Sequence, residues 1–105
     1  MPQVRRRAEN EAVFREINEQ IRKLGVAHRQ SRIEIVCECA VLGCAEPIRL
    51  SLGAYADARA DPRMFIVAPG HTDPSIEIVV AERDGYLLVR KIGDAADEAV
   101  LTWER

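Results

Sequence analysis

The chain has 105 residues, a formal net charge of −2 and a hydrophobic fraction of 48%, a composition ordinary for a globular protein. At this length, folding buries roughly two-thirds of the surface that the unfolded chain exposes, so we expect one modest core. The apolar runs are far shorter than the ~20 residues that span a bilayer. The arginine-rich start is not followed by the apolar segment of a secretory signal. We therefore expect a cytoplasmic protein with no membrane association.

Residues 5–24 have the periodicity of an amphipathic helix, because apolar side chains recur at steps of three and four with charged side chains between them. The apolar set is Val13, Phe14, Ile17, Ile21 and Leu24. Gly25 is predicted to end this helix, and residues 26–32 to form a polar connector. The apolar stripe could pack on the rest of the protein or form a dimer seam. We favour packing, because two heptads are too few for an isolated coiled coil.

Two short strands are predicted next, joined by a turn at Gly43. Apolar and polar residues alternate in both segments, which is typical of half-buried strands. The inward-facing residues are Ile33, Ile35, Cys37 and Cys39 on the first strand, and Ile48, Leu50 and Leu52 on the second. Glu34 and Glu38 are expected to face solvent from the first strand.

Ser51 is a candidate N-cap for a helix over residues 52–60, which would place Tyr55 in the core. A short strand over residues 64–67 then leads into the turn Pro69-Gly70-His71.

Residues 74–83 are ambiguous, since their apolar residues fit either a strand or a helix. We favour a helix, because Asp73-Pro74 is a typical N-cap and first-turn pair. A last strand is predicted over residues 86–92. The acidic segment 93–105 is expected to form a loose helix.

All three cysteines of the chain lie within eight residues, at Cys37, Cys39 and Cys44. An odd number so closely spaced does not form a disulfide framework and fits a reducing compartment. Three thiolates and the imidazole of His71 are a ligand set that tetrahedral zinc prefers. We therefore predict one structural metal site at Cys37, Cys39, Cys44 and His71, with no catalytic residues.

Two alternatives to zinc stay open. Cys37 and Cys39 could be core thiols that continue the apolar stripe of their strand. A [2Fe-2S] cluster of the CDGSH type also uses three cysteines and a histidine. That pattern, however, places the histidine soon after the third cysteine, whereas 26 residues separate Cys44 from His71 here. His28, the second histidine, is expected at the surface and is the alternative to His71 as a ligand.

Together these elements predict an α+β fold. It would have an N-terminal amphipathic helix, a small and mostly antiparallel sheet of three to five strands, one or two further short helices, and one metal site. We predict a single domain over residues 1–105. Within it, residues 1–32 form a helical arm and connector, 33–92 a metal-stapled core and 93–105 an acidic tail.

Several segments resemble a group of small bacterial proteins of unassigned function that share a Cys-x-Cys-x4-Cys … Pro-Gly-His pattern. The resemblance spans roughly residues 8–92 and rests on the helix Ala8–Glu19, the three cysteines, Tyr55 with Arg59, and the segment Phe65–His71. It implies a shared fold and a shared zinc site at Cys37, Cys39, Cys44 and His71.

We expect an intracellular zinc-stabilised interaction or regulatory module that acts on an unknown protein partner as a monomer or homodimer. A nucleic-acid-associated protein is the alternative, although the acidic balance and lack of an aromatic stripe argue against it. It would use Arg5, Arg6, Arg7, Arg15, Arg22, Lys23, Arg29 and Arg32. A small metalloenzyme is less favoured. It would need water in place of His71 and a base such as Glu38, Glu46 or Asp73.

Overall fold

The computed structural model of the protein describes residues 2–39, 41 and 43–103, with side chains from residue 9 onward. The side chains of Arg5, Arg6 and Arg7 lie outside the described part. Within it the chain forms three helices and five strands. They are α1 (Pro2–Ala27), β1 (Arg32–Val36), β2 (Pro47–Ser51), α2 (Leu52–Arg59), β3 (Met64–Val67), β4 (Glu77–Arg83), β5 (Tyr86–Lys91) and α3 (Gly93–Thr102). The α+β prediction is confirmed, with two small antiparallel sheets. No described helix has the length and apolar character needed to cross a bilayer.

The first sheet pairs β1 with β2 in antiparallel register, and its inward face is apolar. Ile33 lies opposite Leu50, and Ile35 opposite Ile48. All four side chains are buried, as their alternation predicts. The chain then enters α2, where the Ser51 hydroxyl accepts a hydrogen bond from the Ala54 amide at 3.0 Å and caps the helix. Leu52 therefore starts α2 rather than continuing the strand.

The second sheet has the order β3-β5-β4, so β5 is its central strand. Our prediction of a helix over residues 74–83 is wrong. The chain turns at Asp84-Gly85, which places Arg83 directly opposite Tyr86 and pairs β4 with β5 along its length. This cross-strand pairing outweighs the local helix-start pattern of Asp73-Pro74. A register shift between Val79 and Ala81 makes Val80 a bulge on this edge strand.

Helix α1 extends beyond its predicted end at Gly25. The amides of Arg29 and Gln30 bond to the carbonyls of Val26 and Gly25 at 3.1 and 2.9 Å, with Arg29 at a φ of 56°. This is the hydrogen-bond pattern of a Schellman C-cap. Gly25 is required for a different reason: a Cβ there would lie 2.6 Å from Cγ2 of Ile33. It lets β1 approach the helix closely.

The prediction that the apolar stripe of α1 packs on the core is only partly right. Ile21 packs against the core and Phe14 is half-buried, but Val13, Ile17 and Leu24 are 57%, 42% and 60% exposed. The helix docks mainly through polar side chains on the face opposite these three residues. These buried residues are Glu11, Arg15, Asn18 and Glu19. Each has partners on other elements, and those distant partners decide which face is buried.

Arg15 shows how this polar docking is achieved. Its guanidinium donates to the carbonyl oxygens of Pro62 and Ala99 at 2.7 and 3.0 Å, and its Cζ lies over the rings of Phe65 and Trp103, 4.5 and 4.8 Å from their centroids. Burial lowers its pKa to about 10. The interaction also fixes α3, which is the predicted helix of the acidic segment, against α1.

Candidate metal centre

The first two cysteines lie just beyond β1, where the chain bridges the two sheets. The amide of Cys37 donates to the carbonyl of Glu46, next to β2, at 2.8 Å. The amide of Glu38 donates to the carbonyl of Ile66 in β3 at 2.9 Å. Cys37 and Cys39 are both buried, as predicted, although the strand ends before them at Val36. The cysteine segment therefore stands at the junction of the two sheets.

The other two residues are delivered by similar tight turns. The amide of Cys44 bonds to the carbonyl of Val41 at 3.0 Å, and that of His71 to Ala68 at 3.1 Å. In each turn the preceding glycine has a positive φ, 86° at Gly43 and 83° at Gly70. A glycine at the third position of such a turn adopts this conformation without strain. Both turns thus present a ligand-type side chain at their fourth residue.

The four side chains converge. One potential ligand atom from each of Cys37, Cys39, Cys44 and His71 lies within 4.8 Å of all the others. Nδ1 of His71 is 3.6 Å from Sγ of Cys37 and 3.5 Å from Sγ of Cys44. Zinc bonds of ~2.3 Å to sulfur and ~2.0 Å to nitrogen in a tetrahedron require about 3.5 Å between these atoms. The two sulfur–nitrogen distances match this value, and the four residues lie close enough together to hold one metal ion.

Burial opposes ionisation of the two core cysteines in the absence of a bound cation. Burial raises the pKa of the Cys37 thiol to about 12, although the hydrogen bond from the Ala68 amide to its sulfur at 3.1 Å acts in the opposite direction. Burial also raises the pKa of Cys39. Without a positive charge these sulfurs stay protonated at neutral pH, and a metal that binds them releases protons.

The site is closed on one side and accessible on the other. Cys37 and Cys39 are buried in the core, whereas Cys44 and His71 are partly exposed. A groove of about 360 Å³ beside them is lined by these two residues and by Thr72 and Asp73, among others. A metal ion therefore has an entry path from solvent along the turn that carries His71.

Glu38 is the residue whose role the sequence did not indicate. We predicted a solvent-facing side chain, but Glu38 is fully buried. One carboxylate oxygen accepts from the Ile66 amide at 3.0 Å. The other accepts from Arg59 at 2.5 Å and from Asn18 at 2.7 Å. Alternation predicts exposure here, and it fails because the second sheet covers this side of the chain beyond the end of β1.

Glu38 thereby connects the cysteine segment to α1 and α2 through a network of buried polar side chains. The Asn18 amide donates to the carbonyl of Val36 at 2.8 Å and accepts from its N–H at 2.9 Å, so it pairs with β1 as a neighbouring strand would. Tyr55 donates to Glu19 at 2.9 Å. The Glu38 carboxylate offsets the effect of burial on the Arg59 pKa and raises it. Arg59 therefore keeps its charge in the core.

The remaining predicted candidates do not join the four-residue group. His28 follows the end of α1 and is exposed, as predicted. Glu46 is exposed, and both carboxylate oxygens of Glu38 accept from donors of the buried network. Asp73 lines the groove and accepts from the Ser75 hydroxyl at 2.6 Å. Among the described residues, the candidate ligand set is thus the one predicted.

Comparison of the chain with protein-family models, curated proteins and solved structures finds no significant match in any of the three.

Proposed function

We propose that the protein is a zinc-stabilised interaction module, in which the ion holds the two sheets together and the docked helix α1 provides the working surface. The observation that carries the proposal is the convergence of Cys37, Cys39, Cys44 and His71 to within 4.8 Å at the junction of the sheets. Three thiolates and a neutral imidazole would give a Zn²⁺ complex of net charge −1. Membership in the group of small bacterial proteins that the chain resembles is part of this proposal.

Four protein ligands complete a tetrahedral sphere, so a zinc ion bound by all four has no position for substrate. Such an ion contributes by stabilising the folded chain. Binding free energy at structural sites is on the order of 10 kcal/mol at neutral pH, and it adds to the free energy of folding. This favours a structural role over a metalloenzyme, whose zinc would need an open position.

The nucleic-acid alternative loses part of its proposed surface in the structure. Arg15 is fully buried and engaged by the core. Arg22 forms an ion pair with Glu19 at 2.7 Å. Because these two arginines are engaged within the chain, fewer cations are left for phosphates, which counts against the nucleic-acid alternative.

Metal analysis of protein purified without chelator tests the proposal. We expect about one zinc per chain and a colourless sample. His71→Ala and Cys39→Ser should each lower the zinc affinity and the melting temperature together, because they remove a ligand. His28→Ala is the matched control, since it removes an exposed histidine and should change neither quantity. Brown protein with labile sulfide would instead indicate an iron–sulfur cluster. Metal-free folded protein with three titrating thiols would reject the metal site.

A further inference from the structure

The exposed face of α1 carries a mostly apolar strip. At about 100° per residue, Val13, Ile17, Gln20 and Leu24 fall within a strip about 60° wide, and the three apolar residues are 42–60% exposed. Glu11, Arg15 and Asn18 project from the opposite side and are buried. The protein thus uses polar residues to dock its own helix and leaves an apolar strip outside. We refer to Val13, Ile17, Gln20 and Leu24 as the outer strip.

The outer strip is self-complementary when a second copy lies antiparallel to the first. Its residues are spaced four, three and four apart, which is the spacing of a coiled-coil seam. A two-fold axis midway between residues 18 and 19 places Val13 opposite Leu24 of the second copy, and Ile17 opposite Gln20. Both Val13–Leu24 contacts then bury apolar surface that is exposed in the single chain.

Charges beside the outer strip specify the same orientation. Glu16 and Lys23 both flank the strip on one side and are exposed. In an antiparallel pair like flanks face each other, so Glu16 of each copy comes opposite Lys23 of the other, within two residues of the register given above. A parallel pair would instead place Glu16 against the opposite flank, where Phe14 and Ile21 are apolar. The charges therefore favour the antiparallel arrangement.

We propose that the outer strip of α1 is a homodimer interface through which two copies of this chain associate antiparallel. This inference rests on the proposed function, and it identifies the partner that binds the outer face of α1 as a second copy of the chain. The helix is already ordered by its polar docking, so association does not have to fold it, and a strip too short for an isolated coiled coil can suffice. From Val13 to Leu24 the strip is about 16 Å long. An interface this small implies weak association, with a dissociation constant in the micromolar range.

Sedimentation equilibrium of the full metal-bound chain tests the proposal. We expect the wild type to dimerise and Ile17→Glu to dissociate at least about 100-fold more readily, because two charges would be buried per dimer. Val80→Glu is the matched control, since Val80 is 46% exposed on the bulge of β4. It should leave association unchanged. Wild type that is monomeric at about 500 µM, or a dimer that tolerates Ile17→Glu, would overturn the proposal.

Charge reversal tests the orientation with exposed residues whose replacement should not unfold the chain. Glu16→Lys brings two like-charged pairs together and should weaken association by about tenfold at low salt. The double variant Glu16→Lys, Lys23→Glu recreates both opposite-charge pairs and should restore wild-type affinity. A double variant as weak as the single one would overturn the antiparallel register.

Zinc content and far-UV circular dichroism are measured on the same samples. Each variant should keep about one zinc and its helix content, because none of the substituted residues belongs to the metal centre. Failure of the zinc site would appear as missing metal, whereas failure of the dimer proposal would appear as fully metallated monomer.

Discussion

Replacing Glu38 should destabilise the protein far more than replacing another ion-paired glutamate on the same segment. Glu38→Ala leaves the Arg59 guanidinium, the Asn18 amide and the Ile66 N–H without the acceptor that they share in the buried network. Removing one partner of a buried ion pair costs about 3–5 kcal/mol, because the remaining charge stays buried and uncompensated. Since a domain is stable by only about 5–15 kcal/mol, this is a large fraction of the total.

Urea unfolding of the zinc-bound protein, followed by far-UV circular dichroism, measures the effect. Glu34→Ala is the control: Glu34 forms an ion pair with Arg49 at 3.0 Å, but both side chains are more than half exposed. It should cost less than about 1 kcal/mol. Arg59→Met combined with Glu38→Gln should cost less than the sum of the two single changes, since the double change removes both charges. Equal losses for Glu38→Ala and Glu34→Ala would refute the network.

Three further outcomes follow from the structure. Burial raises the pKa of Tyr55 above its ordinary value of 10. The Tyr55 phenol therefore ionises at a lower pH in the unfolded chain than in the folded one. The free energy of unfolding consequently falls as the pH rises past about 10. When the pH is raised and tyrosinate is followed by absorbance at 295 nm, one tyrosine should ionise only as the protein unfolds. Tyr55→Phe should lack this ionisation step. Ionisation of every tyrosine near pH 10 in the folded protein would contradict this. Arg15→Lys should lower the unfolding free energy by about 2 kcal/mol, because an ammonium cannot donate to Pro62, Ala99 and Thr102 from one planar fork. An unchanged urea midpoint would show instead that a positive charge at this position is enough for stability. Gly70→Ala should cost about 1–2 kcal/mol, because its φ of 83° strains any residue with a Cβ. Gly53→Ala in the first turn of α2 should be neutral or stabilising. Urea unfolding compares Gly70→Ala with Gly53→Ala, and equal effects would contradict the argument that Gly70 is needed for its positive φ.

The sequence alone determined the features that depend on local chemistry. Alternation of Ile33 and Ile35 predicts one buried face of β1, and the structure confirms it. The Ser51 cap follows from hydrogen bonding to the next turn of the chain. The three cysteines are closely spaced and the chain has only two histidines, so ligand chemistry indicated the group that the structure brings together.

Only the tertiary structure decided what each surface faces. The polar side of α1 is buried because its partners come from far along the chain, such as Ala99 for Arg15, 84 residues away, and Val36 for Asn18. Glu38 is buried because Arg59 compensates its charge there. Residues 74–83 form a strand because β5 pairs with them. Periodicity reports which residues share a face. The burial of that face depends on desolvation and on partners that only the folded chain brings within reach.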